Sequence, residues 1–296
     1  MRPPARTGSP PARSSVLAAV AGGVLLAAAF PLGPPALPAT TDGWWALGWV
    51  CLAPMMVAAA RASSRRNAAL AGLAAGLVAY GLVFAWILPF LSRWGMLSAP
   101  EDWGVFLPMI LYLASYTSTF CLCVRTFAGR WGEPAALLLA PAAWTALELI
   151  RAKILTGFPW CLLGYSQHGI PAAIQVADLA GVYGVSFQLA SSAALLACIV
   201  TRPRTGGTAR PSRRAAAAAL GIVSALGPLY GAARLATMPA HSETIKAALV
   251  QANIPQSEKW DPREAARIEL DHFAMTREAA AAGASLIVWS ESAVPY

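Results

Sequence analysis

The sequence predicts an α-helical membrane protein of about seven spans that runs into the start of an α/β domain, with residues 1–239 forming the helical part and residues 240–296 the α/β part. Three observations lead there. Hydrophobic residues make up 57% of the 296 and charged residues only 12%, about half the charged share of an ordinary soluble domain. Seven apolar segments approach or reach the roughly 17 to 25 residues that a helix needs to cross a bilayer. The tail alternates a strand pattern, a helix pattern and a second strand pattern.

The net charge of +8 divides unevenly: residues 1–239 hold 17 Lys/Arg against 6 Asp/Glu, and residues 240–296 hold 5 against 8. Basic residues set between apolar segments are explained by membrane orientation, not by a phosphate-binding face, so no nucleic-acid partner is expected. The segments are 15–31, 43–60, 67–90, 104–127, 134–150, 181–200 and 215–235. The first, behind Arg2, Arg6 and Arg13, also fits a signal peptide. The N-terminus and alternate loops carry thirteen arginines, whereas the opposite side carries only Arg93, Arg151, Lys153 and Arg234. By the positive-inside rule the N-terminus is expected in the cytoplasm and the tail outside, on the far face of a bacterial inner membrane. Small residues crowd the spans, as in LAGLAAGLVAYG (70–81), which allows close helix approach. The run 202–214 reads as a flexible basic loop.

Four of the five cysteines, Cys51, Cys121, Cys123, Cys161 and Cys198, fall in apolar segments and read as packing residues. No histidine lies near the Cys121/Cys123 pair, so no metal site and no disulfide framework is expected. Cys161, in a loop, is a candidate thiol without a neighbour to activate it. That loop, within LELIRAKILTGFPWCLLGYSQHGIP (147–171), is unusual. Glu148 and Arg151 are three apart and can pair on one helix face. Trp160 and Tyr165 suit a headgroup-level aromatic belt, or a re-entrant segment that shapes a lipid-facing site. Asp178 reads as a satisfied polar group near the interface.

In the tail, TIKAALVQANIP (244–255) reads as a strand entering a turn. DPRE (261–264) reads as a helix start, with Asp261 as N-cap, Pro262 at the first position and Glu264 closing a capping box. The helix should bury Ala266, Leu270 and Phe273 and end near Gly283. LIVW (286–289) is then a fully apolar strand, giving a βαβ unit of the kind found in parallel sheets. Functional groups in such sheets gather beyond the carboxyl ends of the strands, where Glu291 stands.

ALVQANIPQSEKW (248–260) and LIVWSESAVP (286–295), behind seven spans and a TGFPW…GYSQ loop, resemble the apolipoprotein N-acyltransferases, membrane enzymes of the nitrilase superfamily. Ser290 departs from the proline more usual there. The resemblance implies a nitrilase-like external domain, a phospholipid acyl donor, an apolipoprotein acceptor with a diacylglyceryl-cysteine N-terminus, and no cofactor. It also implies a Glu-Lys-Cys ping-pong mechanism, in which Glu291 matches the general base and Trp260 matches a tryptophan near the substrate. The Lys and Cys of that set, and an eighth span, are expected beyond Tyr296, since no cysteine follows Cys198 and 57 residues are too few for a complete nitrilase-type core. The chain therefore reads as an N-terminal portion, inactive alone. A non-catalytic membrane protein that binds lipid or a partner is the alternative. A transporter is disfavoured because the spans lack paired ionisable residues along a pathway.

Overall fold

The computed structural model describes residues 12–32, 43–95, 98–201, 211–239 and 244–293. The chain divides into two compact units, Met1–Thr237 and Met238–Tyr296. Arg2 and Arg6, most of the basic run 202–214, and Pro295 of the last motif lie outside the described residues.

The first unit is built of helices α1 (Ala12–Ala28), α2 (Leu52–Arg61), α3 (Arg65–Val83), α4 (Ile87–Trp94), α5 (Ala99–Trp131), α6 (Glu133–Arg151), α7 (Pro171–Ile174), α8 (Ala177–Val200) and α9 (Arg213–Ala236). Five of them, α3, α5, α6, α8 and α9, are long and apolar enough to cross a membrane. The first two predicted spans correspond to shorter apolar stretches, Arg13–Ala28 and Trp45–Arg61. The second of these is not one α-helix. A 3-10 turn over Trp45–Trp49 precedes α2, because the Gln167 side chain joins it at two points, accepting from Trp49 Nε1 at 2.9 Å and donating to the Trp45 carbonyl at 2.8 Å.

The third predicted span, 67–90, is also divided. Phe84, 1% exposed, ends α3 and packs edge-on against Phe158 with ring centroids 5.6 Å apart, so the chain turns there before α4. In α8 the break at Gly181, φ +60, leaves the regular helix beginning where the sequence places it. Helix α5 is longer than predicted, at 33 residues, because Ser98 and Glu101 form a capping box well before the apolar run. Serines cap two other starts: Ser64 accepts from Asn67 N and Ser212 from Ala215 N. Arg61, at the end of α2, forks onto Glu133, at the start of α6, at 3.0 Å.

Close approach in the bundle rests on glycine, as the small-residue pattern predicts. On α3, a Cβ at Gly76 would lie 2.1 Å from Thr117 Oγ1 and 2.7 Å from Ala114 Cα of α5. One turn away, a Cβ at Gly72 would lie 2.5 Å from the Thr117 carbonyl. At Gly81 an added Cβ would meet nothing within 4 Å. Gly76→Ala is therefore expected to destabilise the bundle by about 1–3 kcal/mol through overpacking, while Gly81→Ala gains about 1 kcal/mol of helix propensity. Thermal unfolding of the two variants in detergent checks this: equal midpoints would show that α3 and α5 do not meet at Gly76.

The second unit holds β1 (Ala247–Val250), α10 (Gln256–Lys259), α11 (Ala265–Ala281) and β2 (Leu286–Trp289). The strands pair in parallel, Ala247 opposite Leu286 and Val250 opposite Trp289. One face of the pair packs on α11. Helix α11 begins later than predicted, with Glu264 as its N-cap residue and no capping box. The reason is local: the Asp261 carboxylate accepts from Arg263 N at 2.9 Å and pairs with its guanidinium, which holds residues 261–264 in a turn. That pairing keeps the Asp261 carboxyl down at about 2. The buried stripe also differs from the prediction. Ile268 and His272 are buried, whereas Leu270 is 62% and Phe273 41% exposed. The helix docks with its Ile268 and His272 side on the sheet, and Phe273 meets only its edge, with its ring 5.7 Å from that of Trp289. The helix ends as expected, with Gly283 at φ +83.

Candidate active site

Beyond the carboxyl ends of β1 and β2 lies an open cavity of about 370 Å³, bordered by Asn253, Lys259, Ile268, His272, Ser290 and Ser292 among others. Two loops build it. After β1, the chain passes Asn253 in the left-handed region, φ +51, and closes the single turn of α10 through Lys259 N donating to the Pro255 carbonyl at 3.0 Å. After β2, Ala293 N donates to the Ser290 carbonyl at 3.2 Å, closing a four-residue turn with Glu291 and Ser292 at its centre. Ser292 has φ +52, and Glu291 has no positive φ, the pattern of a type II turn.

Glu291 thus occupies an exposed tip immediately past the strand. Its neighbours Ser290 and Ser292 line the cavity, and Glu291 itself is not among the lining residues. Trp260, the other residue predicted for the site, directly follows α10 and is 54% exposed. Among the described residues no hydrogen bond or ring contact joins it to Glu291. What joins their two loops is Lys259, whose Nζ donates to the Glu291 backbone carbonyl at 3.3 Å.

Sequence reasoning missed two cavity residues. Lys259 lies inside the quoted ALVQANIPQSEKW stretch, yet its contact is 32 residues away in the chain and leaves no local signal. His272 is 2% exposed, with Nδ1 2.7 Å from the Ile268 carbonyl and its ring 5.1 Å from that of Trp289. A carbonyl only accepts, so Nδ1 carries the proton. The i, i+4 spacing of Ile268 and His272 was the available clue, obscured by the expected phase of the helix.

In the first unit, the 152–170 loop is held from below by the last turn of α6. Glu148 and Arg151 are 4% and 1% exposed. They do not pair with each other as their spacing suggests. Each instead takes hold of the loop. Glu148 Oε1 accepts from Leu163 N at 2.7 Å and from Trp144 Nε1 at 2.9 Å. Arg151 donates to the carbonyls of Trp160 and Cys161 at 3.1 and 3.3 Å, and to Tyr80 OH at 2.9 Å. Two opposite charges held by separate loop groups fix a backbone whose Leu155, Thr156 and Cys161 all have positive φ. The result presents Trp160, half exposed, stacked on Trp86 with centroids 6.1 Å apart. Burial pushes the Cys161 thiol up to about 12. It stays protonated at neutral pH and does not qualify as a nucleophile. Asp178 is satisfied, accepting from Tyr230 OH at 2.7 Å.

A bundle of long apolar helices followed by an α/β unit with an acid beyond a strand end defines a membrane protein with an appended α/β domain. Residues 22–195 match the family profile described as the apolipoprotein N-acyltransferase N-terminal domain. The chain is 35% identical over 285 residues to an apolipoprotein N-acyltransferase of Geobacter metallireducens, covering 96% of this chain and 52% of that protein. It is 34% identical over 292 residues to one of Pseudomonas syringae pv. tomato, covering 95% and 52%. A third relative of the same name, from Shewanella oneidensis, is 32% identical over 229 residues, covering 75% and 41%. The chain belongs to the apolipoprotein N-acyltransferase family. It spans about half the length of the curated relatives it matches.

Proposed function

We propose that this chain is the membrane part, and the beginning of a nitrilase-like external part, of an enzyme that moves an acyl chain from a phospholipid to the α-amine of an apolipoprotein's N-terminal diacylglyceryl-cysteine. In this reading the bundle crosses a bacterial inner membrane seven times, with the N-terminus cytoplasmic and Glu291 on the outer side. The reading is supported above all by a similarity that covers 96% of this chain and so extends into both units.

The chemistry assigns Glu291 one task in each half-reaction. Its carboxylate takes the proton of a cysteine thiol, and the thiolate attacks the phospholipid ester carbonyl. A lysine steadies the oxyanion. Collapse expels the lysophospholipid alkoxide, which receives the proton, and leaves an acyl thioester. The acceptor amine then attacks the thioester, its proton passes to the same carboxylate, and the thiolate departs. The thiol and the lysine are sought in the length by which the relatives exceed this chain. Trp260, exposed beside Lys259, is a substrate contact in the same loop cluster.

The test is to incubate the whole protein, in detergent micelles, with phosphatidylethanolamine and to look by intact mass for a hydroxylamine-labile acyl adduct. A protein that binds the lipid without forming a thioester would overturn the enzyme reading in favour of a lipid-binding membrane protein.

A further inference from the structure

We propose that Lys259 is a positioning residue for Glu291, locking the orientation of the turn that carries it; the proposal rests on the catalytic role given to Glu291 above. The turn Ser290–Ala293 is closed by Ala293 N donating to the Ser290 carbonyl at 3.2 Å. The two commonest turn classes share this bond and differ by a flip of the central peptide. Here the central peptide is Glu291–Ser292, and its orientation is read from Ser292, which sits at φ +52. The flipped class would return Ser292 to negative φ, where a side chain is comfortable, whereas the observed class favours glycine at that position. A serine in the left-handed region is therefore held there by something outside the turn.

Lys259 supplies the hold. Its Nζ donates to the Glu291 carbonyl at 3.3 Å, the one carbonyl that a flip would reverse. The stem of Lys259 borders the cavity and rises from α10, whose single turn is itself pinned to the Pro255 carbonyl by Glu258 N and Lys259 N at 2.9 and 3.0 Å. The loop after β1 thereby fixes the peptide that follows Glu291, in the turn after β2. Reversing the central peptide changes ψ at Glu291 and with it the side-chain rotamers that its backbone favours, so a lost contact at Lys259 is felt at the carboxylate without any contact between the two side chains.

The experiment measures the rate of thioester formation in the whole protein at saturating phosphatidylethanolamine, in the same micelles, for Lys259→Met, Ser292→Gly, the double variant and Glu291→Gln. Loss of one charge-assisted hydrogen bond is expected to slow Lys259→Met about tenfold. Ser292→Gly removes the penalty of the left-handed conformation, so the double variant should recover to within about threefold of the parent. That rescue separates positioning from direct contact: a lysine that touched substrate could not be replaced by a glycine two bonds along the turn. A Lys259→Met rate equal to the parent's, with Glu291→Gln slow, overturns the positioning role and leaves Glu291 as the base. A double variant as slow as Lys259→Met also overturns it, assigning Lys259 to the substrate. A Glu291→Gln rate equal to the parent's removes the catalytic reading itself, and the positioning role with it.

Discussion

Replacing Glu291 with glutamine in the whole protein is expected to slow thioester formation by about 10²- to 10⁴-fold, the usual worth of a general base. Glutamine matches glutamate in size and keeps a carbonyl acceptor, so what the substitution removes is the ability to take a proton. The backbone around it does not depend on the carboxylate: the turn is closed by Ala293 N on the Ser290 carbonyl and steadied by Lys259 on the Glu291 carbonyl. The side chain is exposed at the tip of that turn. Folding should therefore be unchanged, and the unfolding midpoint measured beside the rate separates a lost base from a lost structure. An undiminished thioester in a fully folded variant would remove Glu291 from the mechanism. Glu291→Asp offers a graded comparison, because it keeps the base but withdraws it by one methylene; a rate between those of glutamate and glutamine is expected.

Arg151→Met should produce the largest loss of stability, about 3–5 kcal/mol, the range for breaking a buried charge network by removing one partner. Methionine fills much of the same volume and donates nothing. The carbonyls of Trp160 and Cys161 and the hydroxyl of Tyr80 all lose their donor. Glu148, 4% exposed, is left as a buried carboxylate without the nearby cation. The strained residues Leu155, Thr156 and Cys161 then have less to hold them at positive φ. Arg151→Lys should fall between the two, since an ammonium is a compact donor that cannot reproduce the fork across two adjacent carbonyls. Denaturant unfolding in detergent micelles measures the series. A methionine variant as stable as the parent would show that the loop is held by its aromatic packing against Phe84 and Trp86 rather than by Arg151.

Glu148 and Arg151 also show how far the sequence can be read. Their spacing announced two charges on one helix face near a membrane boundary, and an ion pair was the natural expectation. Spacing reports only what shares a face, however, and the loop that returns over that face offers N–H and C=O groups at closer range. The helix α11 illustrates the same limit. Its existence, its end at Gly283 and the strand after it follow from local pattern. Its start did not, because the Asp261–Arg263 pairing holds residues 261–264 in a turn, and its buried stripe did not, because which face is covered is decided by the docking of the helix on the two strands. The division of 67–90 into α3 and α4 has a similar origin: hydropathy is continuous there, and only the docking of Phe84 against Phe158 marks the corner.

What the sequence determined by itself is the membrane character, the positions of the apolar helices, the strand, helix and strand of the tail, and the place of Glu291 immediately past β2. These follow from hydropathy, helical and strand periodicity and turn-forming residues, all of which act over a few neighbouring positions. Only the tertiary structure decided which helices bend or break, how the 152–170 loop is clamped, and that Lys259 reaches the Glu291 carbonyl. The physical reason is the same in each case: a hydrogen bond or a buried contact between groups tens of residues apart depends on directions in space, and those exist only once the elements have packed.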